Sequence, residues 1–210
     1  MARDATDTRE RLLRTAQSLF ARDGIYQVPL KRVVAEAGQR NASALHYHFG
    51  NRDRLLHAII VRHDDAIEAE RRVVLERLEA EGRLGDVRPL VEALVVPFSG
   101  QLESADGREY LMIISQLSAL FDYWDVEAPG RPPTPVQRVL HGIDGCLAAL
   151  PPEIRHQRVT VFLGLVTEAL ATRARMVDGD APVPLGHEAF VTNLVDMAVG
   201  ALLAPTTSLG

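Results

Sequence analysis

With 210 residues the chain is long enough to bury a sizeable core, and its single cysteine, Cys146, excludes an intrachain disulfide. Apolar residues make up 47% and charged residues 24%, an ordinary globular composition; no run of about eighteen apolar residues is present to span a bilayer, and the N-terminus MARDATDTRERLL carries charges where a signal peptide would be apolar, so a reducing cytoplasm is expected. The net charge of −5 hides a split, with +5 on residues 1–63 and −10 on residues 64–210. Such a basic head on an acidic body suggests contact with a polyanion, although a solvated basic face would look the same.

From Thr8 to Asp23, Leu12, Leu13, Ala16, Leu19 and Phe20 recur at helical spacing and form one apolar stripe, and Gly24 is a natural stop. A connector, Ile25 to Pro29, leads to a second helix, Leu30 to Ala37. It turns Leu30, Val33, Val34 and Ala37 inward and Lys31, Arg32, Ala35 and Glu36 outward, and Gly38 ends it. A helix this short holds only by packing. The third helix, Ala42 to Phe49, buries Leu45 and Phe49 and leaves Ser43, Ala44, His46, Tyr47 and His48 largely available. Gly50 breaks it, and Asn51 is a good N-cap for a long fourth helix, Arg52 to about Ala80, a stiff rod joining the basic head to the acidic body.

The body reads as five further helices with no strand pattern. They run from Asp86 to about Glu103, with Pro97 expected to kink or end the helix near Val96; from Gly107 to Trp124; from Pro135, capped by Thr134, to about Leu150; from Pro152 to about Val177; and from His187 to Leu203. The fold expected is all-α: a three-helix head, residues 1–63, joined by the fourth helix to a helical body, residues 64–210.

The order of LFARDG, LKRVVAEAG and ALHYHFGNRDRLL resembles the N-terminal domain of TetR-family transcriptional regulators. The family wording A-x-x-L-F-x-x-x-G, I-A-x-x-A-G and L-Y-x-H-F-x-x-K-x-x-L appears here as Ala16, Leu19, Phe20 and Gly24, then Ala37 and Gly38, then Leu45, His46, Tyr47, His48, Phe49, Arg52 and Leu55. The resemblance covers about the first sixty residues; the body is similar only in being helical and of the right length. Departures are Pro29 at the usual Thr cap of the second helix, Val34 for the usual Ala, His46 for the usual Tyr, and a turn, Gln39 to Ser43, that reads one residue longer than usual.

The resemblance implies a helix-turn-helix whose second helix enters the major groove of double-stranded DNA. Ser43 and Ala44 then suit base edges and a thymine methyl, Asn41 an adenine, Arg40 a guanine, and Tyr47 the groove wall. Lys31, His46, His48 and Arg52 suit phosphates, as do the backbone N–H groups of 51–54 at a helix start, and Arg32 is counted with the DNA-binding residues. His46 and His48, at i and i+2, point to different sides, which argues against a metal site; no metal and no cofactor are expected.

The resemblance further implies a homodimer paired through the last two helices, with stripes at Val159, Leu163, Val166 and Leu170 and at Phe190, Leu194, Met197 and Ala201. It also implies a small, largely apolar ligand held among Phe98, Tyr110, Met112, Leu117, Phe121, Trp124, His141, Phe162 and Thr167, whose binding releases a repressor from its operator. The rivals are a helical adaptor without DNA and a small helical enzyme. The sequence has no P-loop, G-x-S-x-G, H-E-x-x-H or Cys/His cluster to support the enzyme. No membrane partner is expected.

Overall fold

A computed structural model describes residues 2–39, 43–118, 132–179 and 181–206, with side chains from residue 6 onward. Among them the chain is all-helical: α1 Ala2–Asp23, α2 Leu30–Glu36, α3 Ser43–Phe49, α4 Arg52–Ala80, α5 Val87–Ser99, a 3-10 turn Gly100–Glu103, α6 Ala105–Ser118, α7 Pro135–Cys146, α8 Pro152–Asp178 and α9 His187–Leu203. The element order matches the sequence expectation, with local differences. α1 starts upstream of Thr8, because the polar turns before Leu12 carry no apolar period to mark a start. The third body helix stops at Cys146 rather than Leu150, since Leu147 N and Ala148 N bond back to Asp144 O and Gly145 O in tight turns.

Caps fix the boundaries. Ala37 is followed by Gly38 at φ 70°, with Gly38 N bonded to Ala35 O and Gln39 N to Val34 O, so α2 ends in a Schellman motif. The α4 terminus repeats it, with Gly82 N bonded to Glu79 O and Arg83 N to Leu78 O. Asn51 accepts from Arg54 N at 2.9 Å to open α4, and Thr134 with Gln137 forms a capping box on α7. Pro29 offers α2 no side-chain cap; its carbonyl takes Arg32 N at 2.9 Å instead.

Pro97 does not end α5. The helix continues to Ser99 before tightening into the 3-10 turn. A proline at 97 leaves the carbonyl of Ala93 without its helical donor. The buried Arg71 of α4 fills that vacancy, donating from Nε to Ala93 O at 3.2 Å.

Two apolar cores result. The head core joins Leu12, Leu13, Ala16, Leu19 and Phe20 of α1 to Val33 and Val34 of α2, Leu45 and Phe49 of α3, and Leu55, Leu56 and Ile59 of α4. The body core joins the end of α4 to α5, α6, α7, α8 and α9; α6 packs on α8, and α5 packs on α7 and α9. α6 serves both: Leu111 and Met112 point into the body core, while Ile113, fully buried, sits in the head core with Leu117 against it.

Between Ile60 and Val74, α4 buries Ile67, 2% exposed, but adds no residue to either of these two clusters. That stretch instead carries polar groups facing three other helices. Tyr110 of α6 donates to Asp64 at 2.6 Å, Glu68 accepts from Val136 N at the start of α7 at 3.0 Å and pairs with Arg71, and Arg71 reaches α5. Burial pushes the Arg71 guanidinium down to about 10, opposed by the charges of Tyr110 and Asp64, and pushes the Asp64 carboxyl up despite the hydrogen bond from Tyr110.

Candidate nucleic-acid interface

α3 is pinned by Leu45 and Phe49, 4% and 6% exposed, which sink into the head core and fix which edge faces out. That edge carries Ser43, His46 and Tyr47; Tyr47 is 82% exposed, more than any other large hydrophobic side chain among the described residues. Ala44 and His48 lie half-buried beside it, and the Tyr47 and His48 rings meet edge to face at 5.1 Å. His46 Nδ1 lies 2.8 Å from Gly50 O, which ties the imidazole to the end of its own helix.

Lys31 of α2 is exposed next to this edge. With Leu30, Val34, Leu45, His46 and Gly50 it lines a shallow notch of about 180 Å³ between α2 and α3. Arg32, expected at the DNA, is bridged by two carboxylates, Asp23 at 2.7 Å and Glu36 at 2.7 Å, so much of its charge is met within the chain.

Arg52 departs furthest from its expected role. Its guanidinium turns into the head, donating from Nη1 to Ile25 O and from Nη2 to Val28 O at 2.8 Å, and lies over the Phe20 ring at 5.5 Å from the centroid. The cation is an internal clamp that closes the α1–α2 connector onto α4. One donor from each Nη goes to a carbonyl that the connector leaves without a helical partner. At the α4 start, Arg54 N is already taken by Asn51, which shortens the run of free N–H groups anticipated at 51–54. Arg40 and Asn41 lie outside the described residues.

The head is tied to α6 by polar contacts that sequence reasoning missed. Gln17, fully buried on α1, donates to Asp106 O and Oδ1 at 2.9 Å each; Gln116 donates to Phe20 O at 3.0 Å and accepts from Ile25 N at 2.9 Å; Ser18 donates to Glu109. From its spacing Gln17 reads as lying off the apolar stripe of α1, with Arg9, Arg11 and Arg14; its full burial corrects that, and the buried amide is satisfied by α6.

Of the anticipated ligand residues, Tyr110 and Phe162 are 1% and 0% exposed and belong to the packed interior. The Thr167 hydroxyl is back-bonded to Leu163 O at 2.8 Å, and Leu117 leans on the head core rather than the body. Phe98, edge-on to Tyr110 at 5.8 Å, and His141 are half-buried, and Met112 is 9% exposed. Phe121 and Trp124 lie outside the described residues.

The anticipated dimer stripes also need correcting. Val159, Val166, Leu170 and Leu194 are each 0% exposed inside one chain, because the α8 stripe is covered by α6 and Leu194 joins the same core. Leu163 and Phe190 pack against that core, Ala201 is half-buried, and Met197, 46% exposed, stays open.

Residues 12–59 match the family model described as bacterial regulatory proteins, tetR family. No curated protein matches the chain. Among solved structures, a gamma-butyrolactone receptor described as ArpA-like is 20% identical, with 93% of this chain and 98% of that one covered at a TM-score of 0.47. A TetR-family transcriptional regulator from Pectobacterium atrosepticum is 19% identical over 98% and 100% of the two chains at 0.42. A putative TetR-family regulator from Mesorhizobium loti is 14% identical over 95% and 96% at 0.41. Among the described residues no helix is long and apolar enough to cross a membrane.

Proposed function

We propose, for a chain whose head is that of the tetR family of DNA-binding transcription regulators, that it acts as a homodimeric repressor and leaves its operator when a small, largely apolar ligand binds the body. The observation that carries the DNA half is the α3 edge. Ser43, His46 and Tyr47 face out from a helix whose other face is locked in the core, on a head with net charge +5 over residues 1–63.

In this reading Tyr47 meets the groove wall, Ser43 and Ala44 meet base edges, and Lys31, His46 and His48 meet phosphates. Arg40 and Asn41 keep the base-reading roles their residue types suggest. Arg52 shapes the interface from behind. One head covers a half-site, so two heads held about 34–36 Å apart, or a multiple, read the whole operator. The ligand, seated among α5 to α8 near Phe98, Met112 and His141, acts by favouring one placement of α4 and α6 over another. It shifts DNA binding only by its difference in affinity for the two.

The experiment is selection of bound duplexes from a random pool, followed by mobility shifts with the recovered sequence. A two-fold symmetric operator is expected, with binding that weakens steeply as salt rises. Tyr47→Ala is expected to weaken operator binding about tenfold or more, since a groove contact is worth roughly 1–3 kcal/mol, while leaving thermal stability unchanged because the ring is exposed. A Tyr47→Ala protein with wild-type operator affinity would sink the assignment.

A further inference from the structure

The joint between head and body centres on one imidazole. His63 is 8% exposed, in the stretch of α4 that joins neither apolar core, and its ring stacks on Tyr110 with centroids 4.5 Å apart and planes 16° from parallel. Nε2 lies 3.2 Å from Gln17 Oε1 on α1 and 3.6 Å from the Asp106 carboxylate on α6; Nδ1 lies 2.9 Å from Gln101 Oε1 on the 3-10 turn. One ring therefore touches three separate elements.

The two glutamines are not equivalent. The Gln17 amide nitrogen is committed to Asp106 O and Oδ1 at 2.9 Å and lies 3.3 Å from Glu109, so its oxygen must face His63, and Nε2 must donate. Gln101 has no such commitment among its described bonds and can present either end of its amide. A neutral ring then accepts at Nδ1 from the Gln101 amide nitrogen. An imidazolium donates at both nitrogens, to Gln17 and to the Gln101 oxygen, beside a carboxylate. The observed arrangement, with an amide oxygen at each ring nitrogen, is the doubly donating one.

We propose that His63 makes the head–body joint sensitive to protons. Histidines exchange their charge between roughly pH 5 and 8. With the proton on, α4 is drawn onto α1, the 3-10 turn and α6 together by charge-assisted bonds; with it off, both bonds are neutral, the one at Nδ1 reverses its direction, and the attraction to Asp106 is lost. The charged groups around the ring are Asp106 and Glu109 from α6, Glu10 and Arg14 from α1, and Arg62 and Asp64 from α4 itself. The 3-10 turn contributes the neutral Gln101, and α5 the neutral Phe98 against Tyr110. Two heads docking on one duplex lose less freedom when each is held firmly to its body, so acidification favours the two-half-site operator over a lone half-site. Only this DNA consequence rests on the two-headed regulator proposed above.

The test has a DNA-free arm and a DNA arm. Spin labels at Tyr26 on the head and Val96 on α5, 59% and 50% exposed, are placed in a Cys146→Ser chain diluted with unlabelled protein. As pH falls from about 8 to 5.5, the label-to-label distance distribution is expected to narrow in the wild type and to stay fixed in His63→Gln. Over the same range the preference of wild type for a full operator over a half-site is expected to rise about tenfold more than that of His63→Gln, or 1.4 kcal/mol. His46 and His48 are the same in the two proteins, so the difference between them reads His63 alone. Asp106→Asn keeps the acceptor for Gln17, removes the carboxylate, and is expected to blunt the response, which serves if His63→Gln does not fold.

A wild type whose labels ignore pH, or a His63→Gln or Asp106→Asn protein with the full wild-type response, overturns the proposal. Labels that respond in a protein that binds no duplex leave the joint standing and fell the regulator reading.

Discussion

The guanidinium of Arg52 closes the α1–α2 connector by donating to Ile25 O and Val28 O while covering Phe20. A cation in a basic head invites assignment to phosphate, but carbonyls freed by a tight connector compete for the same planar fork, and here they hold it. Replacing Arg52 by Met removes both bonds and keeps the stem. We expect a loss of about 2–3 kcal/mol in urea unfolding, from bonds of about 1.5–3 kcal/mol each to a charged donor, discounted for partial exposure. The same variant separates clamp from phosphate ligand. If Arg52 neutralised a phosphate, the slope of log K against log salt would fall by about 0.9; for a clamp the slope holds while affinity drops through lost order in the connector. A reduced slope with unchanged stability would refute the clamp. Arg71 follows the same logic deeper inside, where its Nε fills the carbonyl that Pro97 exposes.

At the scale of elements, α2 and α3 are seven residues each and cannot hold a shape alone. Gly38, whose φ of 70° permits the paired bonds to Ala35 O and Val34 O, ends α2 and turns the chain out of it. A Cβ there meets no atom within 4 Å, so Gly38→Ala tests backbone preference without a clash. The expected cost is about 1–2 kcal/mol for an L-residue held in the left-handed region, seen as a lower urea midpoint at constant m-value. Operator affinity should fall further than stability alone explains, because the turn out of α2 toward α3 loses its fixed path. Equal stability in the two proteins would show that the turn relaxes.

These boundaries were legible in the sequence because glycine stops, Asn51, Thr134 and the apolar period each speak for one element. What covers a stripe is not so written. The Val159–Leu170 stripe reads equally as core or as a subunit interface, and α6 decides it; Leu117 reads as lining a ligand pocket in the body and joins the head; Pro97 reads as a kink or an end, and the helix runs on past it with Arg71, 26 positions upstream in the chain, on the freed carbonyl. On α3, Leu45 and Phe49 told which face is buried, and so exposed Tyr47, whereas no pattern around Arg52 tells that its donors turn inward.

For the molecule as a whole, a pair of heads requires a second chain, and the burial pattern moves the proposed dimer face from the inner stripes to the outer ones. On α8 the outward face holds Val161, 57% exposed, above Gly164; on α9 it holds Met197 and Leu203, 46% and 53% exposed, around Gly200. A Cβ on Gly164 or Gly200 would meet nothing within 4 Å, so both sites leave room for another backbone to approach. A two-fold interface sets the same patch against itself, so one substitution is met by its own copy. Met197→Glu places a carboxylate near its mate in a desolvated patch, where each unpaired charge costs several kcal/mol. In the isolated chain the same change is to an exposed position and shifts stability by about 0.5 kcal/mol or less. We therefore expect light scattering at micromolar concentration to show a dimer for the wild type and a folded monomer for Met197→Glu. The monomer should lose preference for a full operator over a half-site while keeping half-site affinity. Val166→Glu is the contrast: at 0% exposure within one chain it should unfold the body rather than part a pair. A wild-type monomer, or a Met197→Glu dimer as tight as the wild type, would move the pairing surface off this face.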